Sequence, residues 1–436
     1  MGPRGPAHLS GTIVEDRPTD KTCVSRRYYR RQSQPASVSR ANWMEVYLDS
    51  NSTSTLDPAA AADMGEALRA GYANPASQHG PGRRARQALA VVREQLASFL
   101  GARAGHPADR LILTSGGTEA NNLALFGLAG KPPGSIVVSS IEHPSVAQSA
   151  AKLQSLGFGI RRLPVNSAGI VQVDRLAELI DGTTRIVCVM LANNETGILQ
   201  PVEQVVEVCR RAGVWVHTDA VQAVGKIPVH FAELGVSSMS LGAHKFNGPR
   251  GIGALLIRPD LPLSQILYGG AQQLALRPGT EDVALAIGMC TALANWQAHG
   301  VQRRDSMRKL RDRFELRLLE QVGDAVIIGR DSIRLPQTCL VSFPGVNRQA
   351  LFMAADLQGI AISTGSACAS GSSEPSPTAQ AMGMAGPVVE GAVRISFGFQ
   401  TTQAELEFAA DQIAQIVQKL RQNPALSRDA RPSRRA

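Results

Sequence analysis

Long apolar runs are missing from this chain of 436 residues. Nothing in it approaches the roughly 18 uninterrupted apolar residues that a membrane-spanning helix needs, so a membrane protein is not indicated. The order of basic, apolar and small residues that marks a secretory signal is also missing from the N-terminus. Six cysteines, Cys23, Cys188, Cys209, Cys290, Cys339 and Cys368, are scattered without CxxC spacing, which excludes a zinc site or a disulfide framework as the organising device. No GxGxxG follows a strand-like run, and no repeat is apparent, so neither a dinucleotide fold nor a solenoid is expected. What is there is ordinary globular material. With 44% hydrophobic and 19% charged residues, the chain has enough to bury a sizeable core and to form two domains.

The formal net charge is +9, but it sits at the ends. Residues 1–43 hold eight Lys/Arg against three Asp/Glu, and residues 421–436 hold five Arg against one Asp, which leaves residues 44–420 neutral overall. A nucleic-acid-binding surface on the folded body is therefore not supported. The N-terminal stretch, with Arg26-Arg27-Tyr28-Tyr29-Arg30-Arg31 in Pro/Ser/Gln-rich sequence, reads as a basic, disordered extension. Met44, directly before the first strand-like run, is a candidate alternative start.

Strand-like runs then alternate with helical patterns. Residues 111–114 precede a helix over 118–128, 136–139 precede one over 146–156, and 186–191 precede one over 202–212. Such alternation predicts an α/β fold with a mainly parallel sheet, helices on both faces, and the site at the strand ends. After a long helix over about 283–322, strands at 338–343 and 393–397 with helices at 348–358 and 403–420 predict a smaller α/β unit. The expected division is a tail (1–43), an N-terminal strand and arm (44–58), a large domain (59–300), a small domain carrying a cysteine loop (301–420) and a basic tail (421–436). Cys188, Cys209 and Cys290 fall within strand or helix patterns and are read as core.

Lys245 follows the apolar stretch 236–241 and precedes Phe246-Asn247-Gly248-Pro249. A lysine at such a turn is by default solvated, yet an amine held past a strand and partly desolvated also suits Schiff-base chemistry. Its company favours the second reading. A buried strand over 214–218 delivers Asp219, with Gln222 behind it, 26 residues before Lys245; a carboxylate there would keep a pyridine nitrogen protonated. Ser115-Gly116-Gly117-Thr118 joins a strand to a helix, as a phosphate cradle or a plain cap. Asn193-Asn194 also ends a strand, in a binding role or a structural turn. His143 follows another, to stack on a ring or to sit satisfied at the surface. Cys368 lies among small residues, Gly365-Ser366-Ala367-Cys368-Ala369-Ser370-Gly371, which reads as a mobile loop with an accessible thiol or as a flexible linker.

Taken in order, these residues resemble the pyridoxal-phosphate-dependent cysteine desulfurases of the class V aminotransferase superfamily. The likeness runs from Tyr47-Leu48-Asp49 to about residue 420, through Asn74-Pro75-Ala76-Ser77, Gly117-Thr118-Glu119, Glu142-His143, Asn193-Asn194-Glu195-Thr196-Gly197, Asp219-Ala220-Val221-Gln222, His244-Lys245, Arg277-Pro278-Gly279-Thr280, Gly365-Ser366-Ala367-Cys368 and Arg394. The cysteine loop resembles that of the housekeeping group serving iron-sulfur assembly and tRNA thiolation. The resemblance implies the fold type I of pyridoxal-phosphate transferases, with a seven-stranded sheet in the large domain, and a cytoplasmic homodimer.

Residue by residue, it implies that Lys245 holds the cofactor as a Schiff base, Asp219 pairs with the pyridinium, Gln222 with the 3-oxygen, and His143 stacks on the ring. Gly117, Thr118 and His244 would hold the phosphate, with Thr280 reaching in from a second subunit. Asn194 and Arg394 would fix the carboxylate of L-cysteine. Lys245 would then move the Cα proton while Cys368 takes the sulfur as a persulfide, L-alanine leaves, and a sulfur-acceptor protein receives the sulfur. No resident metal is implied, although Cys368 would be the residue to touch an iron-sulfur cluster in transit. There are departures. Gly242 stands where the family often has a phosphate-binding serine, leaving only a backbone N–H; Ser373 stands where an apolar residue is usual; and the segment from Pro424 does not resemble the family's scaffold-docking tail. A selenocysteine lyase or another enzyme of the superfamily is the alternative, and a non-catalytic adaptor a more distant one.

Overall fold

The computed structural model describes residues 1–2, 45–365 and 374–422. Cys368, Ser373, nearly all of the basic N-terminal stretch and residues 423–436 lie outside the described residues. By contacts the chain divides into Met1–Trp43 and Met44–Ala436, and the elements formed by the described residues belong to the second unit.

The strands in chain order are β1 (Val46–Tyr47), β2 (Arg110–Thr114), β3 (Ser135–Ser139), β4 (Gly159–Leu163), β5 (Thr184–Cys188), β6 (Trp215–Asp219), β7 (Ser238–Gly242), β8 (Gly253–Ile257), β9 (Val326–Ile327), β10 (Thr338–Ser342), β11 (Ile360–Ala361) and β12 (Ala392–Ser396). Seven of them form one sheet in the order β2-β8-β7-β6-β5-β3-β4. All pairings are parallel except those of β8, which runs antiparallel to both β7 and β2.

A sheet built this way is covered on both faces, and its strands are apolar along their length rather than alternating. In β3, Ser-Ile-Val-Val-Ser, all five residues are buried. The period of two then sorts them between two cores. Ile136 and Val138 pack with Leu123, Leu125, Val146 and Leu153 on one face, while Val137 joins Leu89, Leu96 and Leu241 on the other. Each such aliphatic side chain contributes about 1.5–3 kcal/mol when fully buried. The covering helices supply matched stripes. Val202–Arg211 buries Val202, Val205 and Cys209, one turn or two apart, and turns its arginines and glutamates outward. Cys188, Cys209, Cys290 and Cys339 are buried free thiols, with burial pushing Cys209 up to about 12 and Cys290 to about 11.

The C-terminal part is built on the antiparallel sheet β12-β10-β9, flanked by helices Arg348–Leu357 and Gln403–Gln422. The N-terminal strand joins this part: β1 pairs in parallel with β11, Val46 opposite Ile360, and Asp49 bridges to Ser396. Helix Val283–Gln321 runs 39 residues from an Asp282 cap, whose carboxylate accepts from the Leu285 N–H at 2.9 Å. Among the described residues no helix is long and apolar enough to cross a membrane.

The topology decides where a site forms. β2, β3, β5, β6 and β7 point the same way, so their C-terminal ends lie along one edge of the sheet. Every strand-end motif singled out in the large sheet follows one of these five strands.

Candidate active site

Along that edge lies a cavity of about 400 Å3 whose walls include Ser52, Gly117, Thr118, Asn121, His143, Ser145, Asn194, Asp219, Gln222, His244, Lys245 and Arg250. Eight of the residues expected at the site thus meet in one place. Gly242, Arg394 and Thr280 do not line it. An ideal Cβ on Gly242 would sit 3.4 Å from the Gly117 nitrogen, directly behind the cavity wall. Arg394 is one hydrogen bond further back, and Thr280 is exposed outside the cavity of its own chain. Cys368 lies outside the described residues.

Lys245 closes the short turn Ala243–Lys245 that follows β7. The chain 51–54 crosses beneath it. Lys245 Nζ donates to the carbonyls of Asn51 (2.6 Å) and Ser52 (2.8 Å), and Ser54 donates to the His244 carbonyl through both its N–H and its hydroxyl at 2.8 Å. Lys226 Nζ donates to the Lys245 carbonyl. Burial and the nearby Lys245, Arg250 and Lys226 push His244 down to about 4, so its imidazole is neutral at pH 7.

Asp219, the last residue of β6, is held on both oxygens. Oδ1 accepts from the Val221 N–H at 2.9 Å and Oδ2 from Asn121 Nδ2 at 2.7 Å. That second bond orients a whole network, because a carboxylate accepts and so the amide must present its nitrogen. Asn121 Oδ1 is thereby turned toward Ser240 Oγ (2.5 Å) and His217 Nε2 (3.0 Å). His217 then carries its proton on Nε2 and accepts from Ser238 Oγ on Nδ1 at 2.9 Å, and burial pushes its pKa down to about 3. The other Asn121 N–H donates to Ser145 Oγ at 2.8 Å, and Ser145 Oγ lies 2.7 Å from His143 Nδ1. Since the Ser145 N–H also donates to His143 Nδ1 at 3.1 Å, that nitrogen is an acceptor and the His143 proton sits on Nε2. Three hydrogen bonds therefore run from Asp219 to His143.

A third group surrounds Asn194. Its carbonyl accepts from Asn51 Nδ2 (3.3 Å) and Arg394 Nη1 (3.1 Å). Arg394, 2% exposed, also donates to Asp49 Oδ1 and Ser52 Oγ, each at 2.7 Å. Glu195 is buried beside them, accepting from Ser376 and Thr378 hydroxyls; burial holds its carboxyl above the usual range.

Two features mark the cavity as built for a polar ligand. Gln222 donates through Nε2 to the Asn51 carbonyl at 3.1 Å, but its Oε1 is buried with no hydrogen-bond partner. Helix Gly117–Ala129 starts at the cavity with no side chain capping it, which leaves backbone N–H groups and the positive end of the helix dipole for an anion. Gly117 is required there: a Cβ would meet Val221 Cγ2 at 2.4 Å, so only glycine lets this helix start approach the Asp219–Gln222 turn.

Sequence reading did not single out Asn121, Ser145, His217, Lys226, Arg250 or the 51–54 carbonyls. For Asn121 a signal existed, since it lies four residues after Gly117 and hence on the same helix face. The others act through contacts between segments far apart in sequence.

Comparison with known proteins gives one family. Residues 46–408 match the aminotransferase class-V family model. The chain is 37% identical over 383 residues to the cysteine desulfurase IscS of Dictyoglomus turgidum, covering 86% of this chain and 95% of that protein. It is 38% identical over 380 residues to a cysteine desulfurase of Gluconacetobacter diazotrophicus, covering 86% and 94%. The solved structure of a NifS-like protein superposes with a TM-score of 0.80 at 33% identity, covering 86% of this chain and all of that one.

Proposed function

Because the chain belongs to the class-V aminotransferase family and to the cysteine desulfurases within it, we propose that it converts L-cysteine to L-alanine, leaving the sulfur as a persulfide on Cys368 and using pyridoxal phosphate. The observation that carries the reading is the meeting, in one cavity, of the Lys245 amine with an Asp219 carboxylate anchored through both oxygens. The cofactor also fits what the cavity leaves unsatisfied. Its phosphate suits the uncapped helix start at Gly117 and Thr118, with His244 beside it, and its ring oxygen would accept from the second Nε2–H of Gln222, the first being given to the Asn51 carbonyl.

When bound, the cofactor supplies the electron sink that makes the substrate Cα–H acidic. Asp219 keeps the proton on the ring nitrogen, and Asn121 keeps Asp219 in place. His143, with its Nε2–H fixed by Ser145, would lie against the ring. Asn194 and Arg394 orient the substrate carboxylate. Lys245 Nζ, once free, accepts the Cα proton and returns it. The Cys368 thiolate attacks the substrate sulfur: an S–S bond forms, the Cβ–S bond breaks with its electron pair going to carbon, and proton uptake there completes L-alanine. L-Cysteine and one thiol thus become L-alanine and one persulfide, with no external oxidant.

Thr280, exposed in its own chain, would reach the phosphate of a second copy in a homodimer. The sulfur passes to an acceptor protein of iron-sulfur assembly or tRNA thiolation, and the four described free cysteines accord with a reducing cytoplasm. The test is mass spectrometry of the holoenzyme after brief exposure to L-cysteine. One added sulfur on Cys368 with matching L-alanine is expected; full turnover by Cys368→Ala would overturn the persulfide step.

A further inference from the structure

Lys226 is a buried lysine that the chemistry above does not use. It is 4% exposed, and its amine donates to the backbone carbonyl of Lys245. Its position results from a close approach. Gly225 adopts φ +70°, and a Cβ on it would lie 2.2 Å from Phe246 Cβ, so the segment behind Asp219 and Gln222 packs directly on the chain at Lys245-Phe246. Three neighbouring carbonyls already have donors. Ala243 O accepts from the N–H groups of Phe246 and Gly248, His244 O from Ser54, and Asn247 O from Asp57. Lys226 supplies a donor to the Lys245 carbonyl from its buried side chain.

We propose that Lys226 is a positioning residue for Lys245: its buried amine clasps the Lys245 carbonyl, fixes the turn from which the reactive amine projects, and sets a second amine beside it. The proposal rests on the assignment of Lys245 as the cofactor lysine. The charged and titratable groups around the clasp are Lys245, His244 and Arg250. Burial first, and Lys245 second, push Lys226 down to about 7. Below that pH Lys226 is charged and disfavours a second positive charge on Lys245, keeping the Lys245 amine in the form that reacts with a carbonyl. Above it the hydrogen bond remains and the repulsion fades.

The test compares Lys226→Met, which removes donor and charge, with Lys226→Gln, which keeps a donor. In the full-length holoenzyme, Lys226→Met is expected to lower kcat roughly tenfold with KM little changed. It should also move the pH transition of the lysine-bound cofactor's absorbance upward by about one unit. In the cofactor-stripped full chain, trinitrobenzenesulfonate should modify Lys245 more slowly on the acid side of neutrality, as read by peptide mass mapping. Lys226→Gln should recover most of kcat while keeping the shifted transition. If both variants match the wild type in kcat, transition and labelling rate, Lys226 only fills space and the proposal fails. Borohydride fixing the wild-type cofactor to a different lysine would sink the functional reading instead, and the Lys245 labelling rate in the stripped protein would still decide on Lys226.

Discussion

Asn121 is the residue on which most of the site's geometry hangs. Both its N–H groups and its oxygen are in use, toward Ser145, Asp219, Ser240 and His217. Asn121→Asp would place a second carboxylate within 2.7 Å of Asp219 Oδ2, and like charges that close cannot both ionise without a large pKa rise. The expected result is a loss of roughly tenfold or more in kcat with an unchanged far-ultraviolet circular dichroism spectrum; kcat within twofold of wild type would show that Asp219 does not depend on this bond. Gly242 allows the opposite experiment. A Cβ there meets its nearest neighbour at 3.4 Å, ordinary contact, so serine fits beside the Gly117 nitrogen. Gly242→Ser should tighten the cofactor about fivefold, the worth of one hydrogen bond of about 1 kcal/mol, measured by titrating the stripped protein. Lys245 and Asp219 were legible because each ends a run of apolar residues, and a polar residue at a strand end announces itself. Asn121 and Lys226 were not, because their partners come from other segments and a lone Asn on a helix or Lys in a turn leaves no periodic trace.

At the level of elements, the same distinction separates what patterning reveals from what packing decides. β2, β3, β6, β7, β10 and β12 are apolar runs and read directly, with boundaries within a few residues; the run at 186–191 reads longer than β5, since residues 189–191 are buried beyond the ladder. β4, Gly-Ile-Arg-Arg-Leu, carries two arginines at the sheet margin and gives no apolar run. The antiparallel direction of β8 leaves no mark in its own residues, because burial on both faces looks the same either way. Nor does sequence show how helix Val283–Gln321 supports the Asn194 turn. Glu315 on that helix meets Arg334 in a two-pronged bond at 2.8 and 3.0 Å, with side chains 3% and 2% exposed. Arg334 in turn bridges Ile198, and Leu335 N donates to the Gly197 carbonyl at 2.8 Å. Breaking a buried pair leaves an uncompensated charge, whereas replacing both partners does not. Glu315→Ala should therefore cost about 3–5 kcal/mol in urea unfolding, and Glu315→Leu combined with Arg334→Met should recover most of it. Equal losses in the single and double variants would mean that the pair contributes through packing alone.

Across the whole molecule the body's charges balance, the excess lying in the terminal segments, so buried titrating groups govern how stability depends on pH near neutrality. Three stand out. Burial pushes Glu142 from 4.5 up to about 8, against bonds from the Ser139 hydroxyl and the Met190 N–H, while its Oε2 has no partner. Burial pushes His217 from 6.5 down to about 3 and Lys226 from 10.5 down to about 7. The signs differ. Folded Glu142 holds its proton more tightly than unfolded chain does, so its contribution is complete below 4.5 and is lost as pH rises to about 8. His217 and Lys226 hold theirs less tightly, so each stabilises as pH rises through its own window, 3 to 6.5 for His217 and 7 to 10.5 for Lys226. Between 4.5 and 6.5 Glu142 and His217 oppose each other, and between 7 and 8 Glu142 and Lys226 do, which hides each group in the wild-type profile. Glu142→Gln uncovers it. The amide keeps the shape and cannot ionise, so the variant should gain stability relative to wild type steadily from pH 4.5 to 8, by on the order of 3–5 kcal/mol in all. Urea midpoints of the two proteins across that range measure the difference; a constant offset would mean that Glu142 ionises in the fold as readily as in the unfolded chain, and that its buried oxygen has a partner such as bound water.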